Sequence, residues 1–243
     1  MKKLILSAVL GFTLAPAFLA GEAQAQSASP TVYGLQVEEF ERRFGDEKER
    51  VNVWNADAFI GDDELRFRWR GAGEYDDRRN RFEKLDNDFL AQVPVSDFFD
   101  AKAGVRFSTP NGKNQDRNYA LIGVTGLAPQ WFEVDLDLFY SDKNNLSASL
   151  DAEYELLITN KLILTPSLGL NFAFSNDNEI ELKSGFSSVE AGARLSYDVV
   201  DRMISPYVGV VYEGKLGNTA DLLKKEGEDY ESWFATVGLK MVF

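Results

Sequence analysis

From Leu65 to the C-terminus, apolar and polar residues alternate with period two over runs of about 9–13 residues, which sorts the side chains of each run onto two opposite faces of a β-strand. Phe132, Val134, Leu136, Leu138 and Tyr140 share one face, against Glu133, Asp135, Asp137, Phe139 and Ser141. Leu146, Ala148, Leu150, Ala152, Tyr154 and Leu156 oppose Ser147, Ser149, Asp151, Glu153 and Glu155 in the next run. Further runs place Leu162, Leu164, Leu168, Leu170, Phe172 and Phe174, then Val189, Ala191, Ala193, Leu195 and Tyr197, on one face each. Strands of a soluble sandwich average about 5–6 residues and turn their polar face to water, so the length of these runs argues against one. About 9–11 tilted residues cross a bilayer, and an oily face rimmed by Tyr and Trp with charges on the other face describes a transmembrane barrel.

The expected fold is therefore all-β, a single antiparallel transmembrane barrel. Strands are expected near 33–44, 50–60, 64–72, 81–93, 99–108, 117–127, 131–141, 146–158, 162–174, 187–198, 205–213 and 231–243, twelve in all. The first is the least regular, because Glu38, Glu39, Phe40 and Glu41 blur its alternation, and ten strands after an N-terminal extension is the alternative. Connections at 73–80, 109–116, 175–186 and 214–230 are longer than those at 61–63, 128–130 and 159–161, as expected of a barrel whose outer loops exceed its periplasmic turns; 142–145 is a short exception. Asn111-Gly112 and Gly217-Asn218 read as turns, and no helix longer than two or three turns is expected in the barrel. The last strand ends Trp233, Ala235, Val237, Leu239, Met241, Phe243 on one face, similar to the C-terminal signal of outer-membrane barrels.

Ahead of the strands, Lys2 and Lys3 precede an apolar run from Leu4 to Ala20 and then Ala23-Gln24-Ala25. This pattern reads as a cleaved signal peptide over 1–25, leaving the barrel domain at 26–243, exported to the outer membrane of a Gram-negative cell among lipid and lipopolysaccharide.

Composition narrows the chemistry. The chain has no Cys and no His, so it supplies neither a thiolate nor an imidazole, and catalysis of the kind found in barrel proteases and phospholipases is not expected. An excess of 39 Asp and Glu over 26 Lys and Arg, a net charge of −13, argues against nucleic acid as a partner.

Gly126-Leu127-Ala128-Pro129 followed by Trp131-Phe132-Glu133-Val134-Asp135, then Glu153-Tyr154 with Leu156-Leu157, and Leu162-Ile163-Leu164 with Pro166, resembles the central signature of the copper-resistance protein B family. Gly217-Asn218-Thr219-Ala220-Asp221 is similar to the family's last outer loop, and the resemblance runs from about Leu65 to Phe243. It implies an outer-membrane barrel of copper resistance and homeostasis that binds or passes copper ions, with periplasmic copper-handling proteins as possible partners. The chain departs from the family in lacking a Met- and His-rich N-terminal extension, and in having Gly169 where members usually carry Glu. Met203 and Met241 are too few, and too far apart in strand order, for a thioether Cu(I) site.

Carboxylates remain as candidate metal residues: Glu133, Asp135, Asp137, Asp151, Glu153 and Glu155. Pairing Ser141 with Asn145 across the 142–145 turn places Glu133 opposite Glu153 and Asp135 opposite Asp151. Like charges so opposed need a cation between them or protons on some of them. That cation is either arginine, since Arg66, Arg68, Arg70, Arg106 and Arg194 are all expected to point inward, or a metal ion held by oxygen ligands. A narrow non-specific pore or a purely structural barrel is the alternative function.

Overall fold

The computed structural model describes residues 30–46, 49–110, 116–200 and 202–243; the expected leader and Asn111-Gly112 lie outside them. Twelve antiparallel strands follow one another around a closed sheet. They are β1 (Val32–Phe44), β2 (Arg50–Gly61), β3 (Arg66–Asp76), β4 (Arg81–Pro94), β5 (Phe99–Pro110), β6 (Arg117–Ala128), β7 (Phe132–Ser141), β8 (Leu146–Glu153, resumed at Leu156–Leu157), β9 (Leu162–Ala173), β10 (Gly185–Tyr197), β11 (Ile204–Lys215) and β12 (Glu231–Val242). Each pairs with its neighbours in sequence, and β12 closes on β1 through pairs running from Gln36↔Val242 to Phe44↔Ala235. A closed sheet leaves no unpaired edge, which hydrocarbon demands.

The burial pattern is that of a soluble protein turned inside out. Phe67, Ile122, Val208 and Trp233 are each more than half exposed, while Arg43, Asp76, Asp88, Arg117 and Asp137 are at most 2% exposed. Alternation thus sends the oily row to lipid and the charged row to the lumen.

Irregularities have local causes. Val37 pairs with Ala56 and Glu39 with Asn55, leaving Glu38 as an extra residue, a β-bulge. Tyr33 and Leu35 face outward before it and Phe40 and Phe44 after it, so the bulge resets the phase and accounts for the blurred alternation of β1. The gap in β8 lies opposite a proline: Tyr154 N donates to Pro166 O at 3.2 Å, and Pro166 has no N–H to return the bond. Leu156↔Leu164 keeps the register of Glu153↔Ser167, so the two pieces are one strand.

Two expectations at the long-loop end are corrected. The connection expected at 73–80 shrinks to 77–80, because β3 continues to Asp76, whose carboxylate accepts from the backbone N–H of Arg78 at 2.6 Å and Arg79 at 3.1 Å. Gly217-Asn218 is not a simple turn but opens the helix α1 (Gly217–Glu226), which ends at Gly227 in the left-handed conformation, φ 74°. The difference between the two ends of the barrel is therefore carried among the described residues chiefly by 174–184 and 216–230.

Candidate functional site

The lumen has two halves that differ in the order of charge around the wall. Across β2 to β5, direct cross-strand neighbours alternate in sign: Asp57↔Arg70, Arg70↔Asp88, Asp88↔Arg106. Arg70 donates to Asp88 at 2.7 Å, and Arg106 donates to Asp88 at 2.6 and 2.8 Å while its guanidinium lies 4.2 Å from the Phe139 ring centre. Opposite charges on facing positions stabilise a sheet, and the arginine stacked on an aromatic face adds to that. Below this ladder Leu90, Leu121 and Phe139 form a small buried apolar cluster with Tyr119 packed on it.

Across β7 to β11 every charged position of the facing row is acidic. Asp135 faces Asp151, Asp151 faces Gly169, Gly169 faces Glu190, and Glu190 faces Glu213, one continuous lumenal row. The register inferred from the 142–145 turn is the one present: Ser141 N donates to Asn145 O at 2.9 Å, with Glu133↔Glu153 and Asp135↔Asp151 in place.

Cations from elsewhere reach both ends of this row. Arg70 crosses the lumen to Asp135 at 3.2 Å and Asp137 at 2.7 Å, and Lys102, whose side chain is wholly buried, pairs with Asp135 and, at 2.9 Å, with Asp137. At the other end Arg43 meets Glu213 and, at 3.1 Å, Glu190, as well as Glu41 at 2.6 Å. Arg194 bonds Glu39 at 2.7 Å and Glu41 at 3.0 Å, and Glu41 also accepts from the Tyr207 hydroxyl at 2.9 Å. Even so, the Glu190 and Glu213 side chains stay 39% and 36% exposed, open to the same lumenal space as Asp151.

The middle of the row has no direct ion-pair partner, although Lys84 and Arg70 act on Asp151 from a distance. Among the described residues, no Lys or Arg nitrogen lies within ion-pair distance of Asp151, Glu153 or Glu133, and Asp151 and Glu133 are exposed. Gly169 keeps the gap: a Cβ there would come within 2.9 Å of an Asp151 carboxylate oxygen. Ser147, Ser149, Ser167 and Asn171 complete a wall of small polar side chains. The six residues picked from the sequence thus divide. Asp135 and Asp137 are neutralised, Glu155 sits in the β8 gap paired with Lys240 at 3.3 Å and Arg202 at 3.4 Å, and Glu133, Asp151 and Glu153 are not ion-paired. Among the described residues, no three or more Asp or Glu side chains are arranged to hold a metal ion as a cage.

Sequence reasoning passed over Lys102, Arg43, Glu39, Glu41 and Glu213. Lys102 was readable, since it shares a strand face with Arg106. Arg43 and its partners were hidden by the bulge at Glu38. Met203 and Met241 are closer than their strand order suggested: Met203 O accepts from Val242 N at 3.1 Å, which sets the two methionines at neighbouring positions of paired segments.

A family model described as copper resistance protein B precursor (CopB) matches residues 31–243. The chain is 35% identical over 192 residues to a copper resistance protein B homolog of Pseudomonas syringae pv. tomato, covering 79% of this chain and 63% of that protein. It is 33% identical over 175 residues to copper resistance protein B of Escherichia coli, covering 72% of this chain and 57% of that protein. The chain therefore spans less than two thirds of the length of these relatives. Among solved structures, the NanC porin superposes with a TM-score of 0.52 and the KdgM porin with 0.51, each at 10% identity and covering 86% of this chain and 99% of the other, a likeness of fold alone.

Proposed function

Because the chain belongs to the copper resistance protein B family, we propose that it is a non-enzymatic outer-membrane barrel of copper tolerance whose acidic lumenal row binds copper ions in transit. The observation that carries this reading is the acidic row from Asp135 to Glu213, which has no ion pair at Asp151. Sheets avoid like charges on facing positions, so a row kept bare at its centre is an energetic cost that a passing cation offsets. The absence of a caging donor set among the described residues fits transient contact better than permanent binding: spaced carboxylates attract a hydrated divalent ion and release it. Oxygen donors alone also give little preference for Cu(II) over Ca²⁺ or Mg²⁺, so copper specificity would come from supply. Lipid and lipopolysaccharide surround the barrel in this reading, and periplasmic copper-handling proteins are its natural suppliers or recipients.

The test is complementation of a deletion strain. Loss of the chain is expected to raise copper sensitivity, wild-type chain to restore tolerance, and Asp151→Asn with Glu190→Gln to restore it only in part. Copper tolerance unchanged by deletion, together with altered uptake of small solutes, would instead favour a narrow general pore.

A further inference from the structure

At the long-loop end, residues 174–184 between β9 and β10 are tied down rather than left as a free surface loop. Arg117 opens β6 on the lumenal row that continues with Tyr119 and Leu121, and it is 2% exposed. Its Nε and Nη2 donate to the two carboxylate oxygens of Asp177, each at 3.2 Å, and Nη2 donates also to Glu179 at 2.7 Å. The Asp177 carboxylate further accepts from Asn145 Nδ2 at 2.9 Å and from the backbone N–H of Glu179 at 3.2 Å, and the residue is 5% exposed. Connecting loops normally run over the surface with their charges in water, so an aspartate buried this far and met by this many donors marks a loop with a fixed position.

The rest of the loop is closed in the same way. Asp177 and Leu182 exchange two backbone hydrogen bonds, at 2.8 and 2.9 Å, and Lys183 N donates to Thr219 Oγ1 at 3.1 Å. Asn218 Nδ2 donates to Ser184 O at 3.0 Å, so the far flank of the loop is held by α1.

The course of the loop follows from strand order. β6 is three strands from β9, so a segment that leaves β9 and reaches Arg117 passes over the ends of β7 and β8. Beneath Arg117 the lumen is filled by Tyr119 and the Leu90, Leu121, Phe139 cluster. Ser147, Ser149 and the exposed Asp151 share the lumenal face of β8, whose outer end is tied to the loop by Asn145.

We propose that residues 174–184 are a lid over the open acidic wall, closed by the clasp between Arg117 and Asp177. The lid sets how much of the time the barrel conducts, whatever ion it carries, so the inference does not depend on copper being the cargo. Release of the clasp frees the 177–182 part of the loop to swing outward, while Lys183 and Ser184 stay held by α1.

Single-channel recording in planar bilayers with KCl tests this on the full barrel. The chains compared are wild type, Asp177→Asn, the charge-free pair Arg117→Gln with Asp177→Asn, and a chain in which residues 176–183 are replaced by Asn-Gly, each first checked for heat-modifiable mobility. Wild type is expected to dwell mainly in a low-conductance level, the clasp variants to spend roughly tenfold more time in a higher level, and the shortened chain to remain there. Should Asp177→Asn fail to assemble, the charge-free pair and the shortened chain decide. Identical level occupancy in wild type and in the assembled variants would overturn the lid.

Discussion

Asp135 and Asp151 face each other directly across β7 and β8, yet only Asp135 is met by cations, Arg70 at 3.2 Å and Lys102 beside it. Asp151 looks instead toward Gly169. Two carboxylates at equivalent positions therefore hold opposite roles, one bracing the barrel and one left open, and exchanging each for its amide separates them. Asp135→Asn is expected to lower stability, because Lys102 and Arg70 lose a partner. Asp151→Asn relieves repulsion and should leave stability unchanged or raise it by about 0.2–1 kcal/mol. Urea unfolding of detergent-held barrel, followed by the loss of heat-modifiable mobility, measures both; equal destabilisation by the two would contradict the division.

Lys102 carries the strongest dependence. Its side chain is fully buried between Asp135 and Asp137. Lys102→Met keeps the length of the side chain but leaves two carboxylates side by side on one face of β7 with only Arg70, so it should cost about 3–5 kcal/mol of barrel stability. A midpoint near wild type in the same unfolding assay would mean that the brace holds without it.

The bulge at Glu38 makes an unusual prediction about deletions. Removing Glu38 leaves Val37 outward and Glu39 inward in a regular ladder, so that chain should still assemble. Removing Arg42 joins two inward residues, Glu41 and Arg43, and forces one flank of β1 onto the wrong face. Heat-modifiable mobility should survive the first deletion and be lost in the second; the reverse outcome would place the extra residue elsewhere.

Pro166 interrupts β8 by withholding one N–H from Tyr154. Pro166→Val restores the donor on a lipid-facing position and should raise stability by about 0.5–1.5 kcal/mol. The new amide at 166 should exchange slowly with deuterium; fast exchange there would show that the gap has another cause.

These particulars also mark how far the sequence could be read. Strand positions, the lipid and lumen faces and the Glu133↔Glu153 and Asp135↔Asp151 pairs follow from alternation and one tight turn, because both are local. The partners of Arg70 on β7 do not, since reaching them crosses the lumen and depends on how twelve strands close. The row through Glu190 and Glu213 needed every register from β8 to β11, each set by its own connection, and the place of Arg43 needed the phase of β1, which a single extra residue conceals. The inward position of Asp177 lies in a loop, where no periodicity speaks.

Ion selectivity of the reconstituted barrel bears most directly on the central claim, that the bare acidic row carries cations. The zero-current potential across a planar bilayer in a gradient of a copper(II) salt should have the sign of a cation-selective path in wild type and shift toward zero in Asp151→Asn with Glu190→Gln. A potential that favours anions, or one that the double variant leaves where it was, would contradict the account.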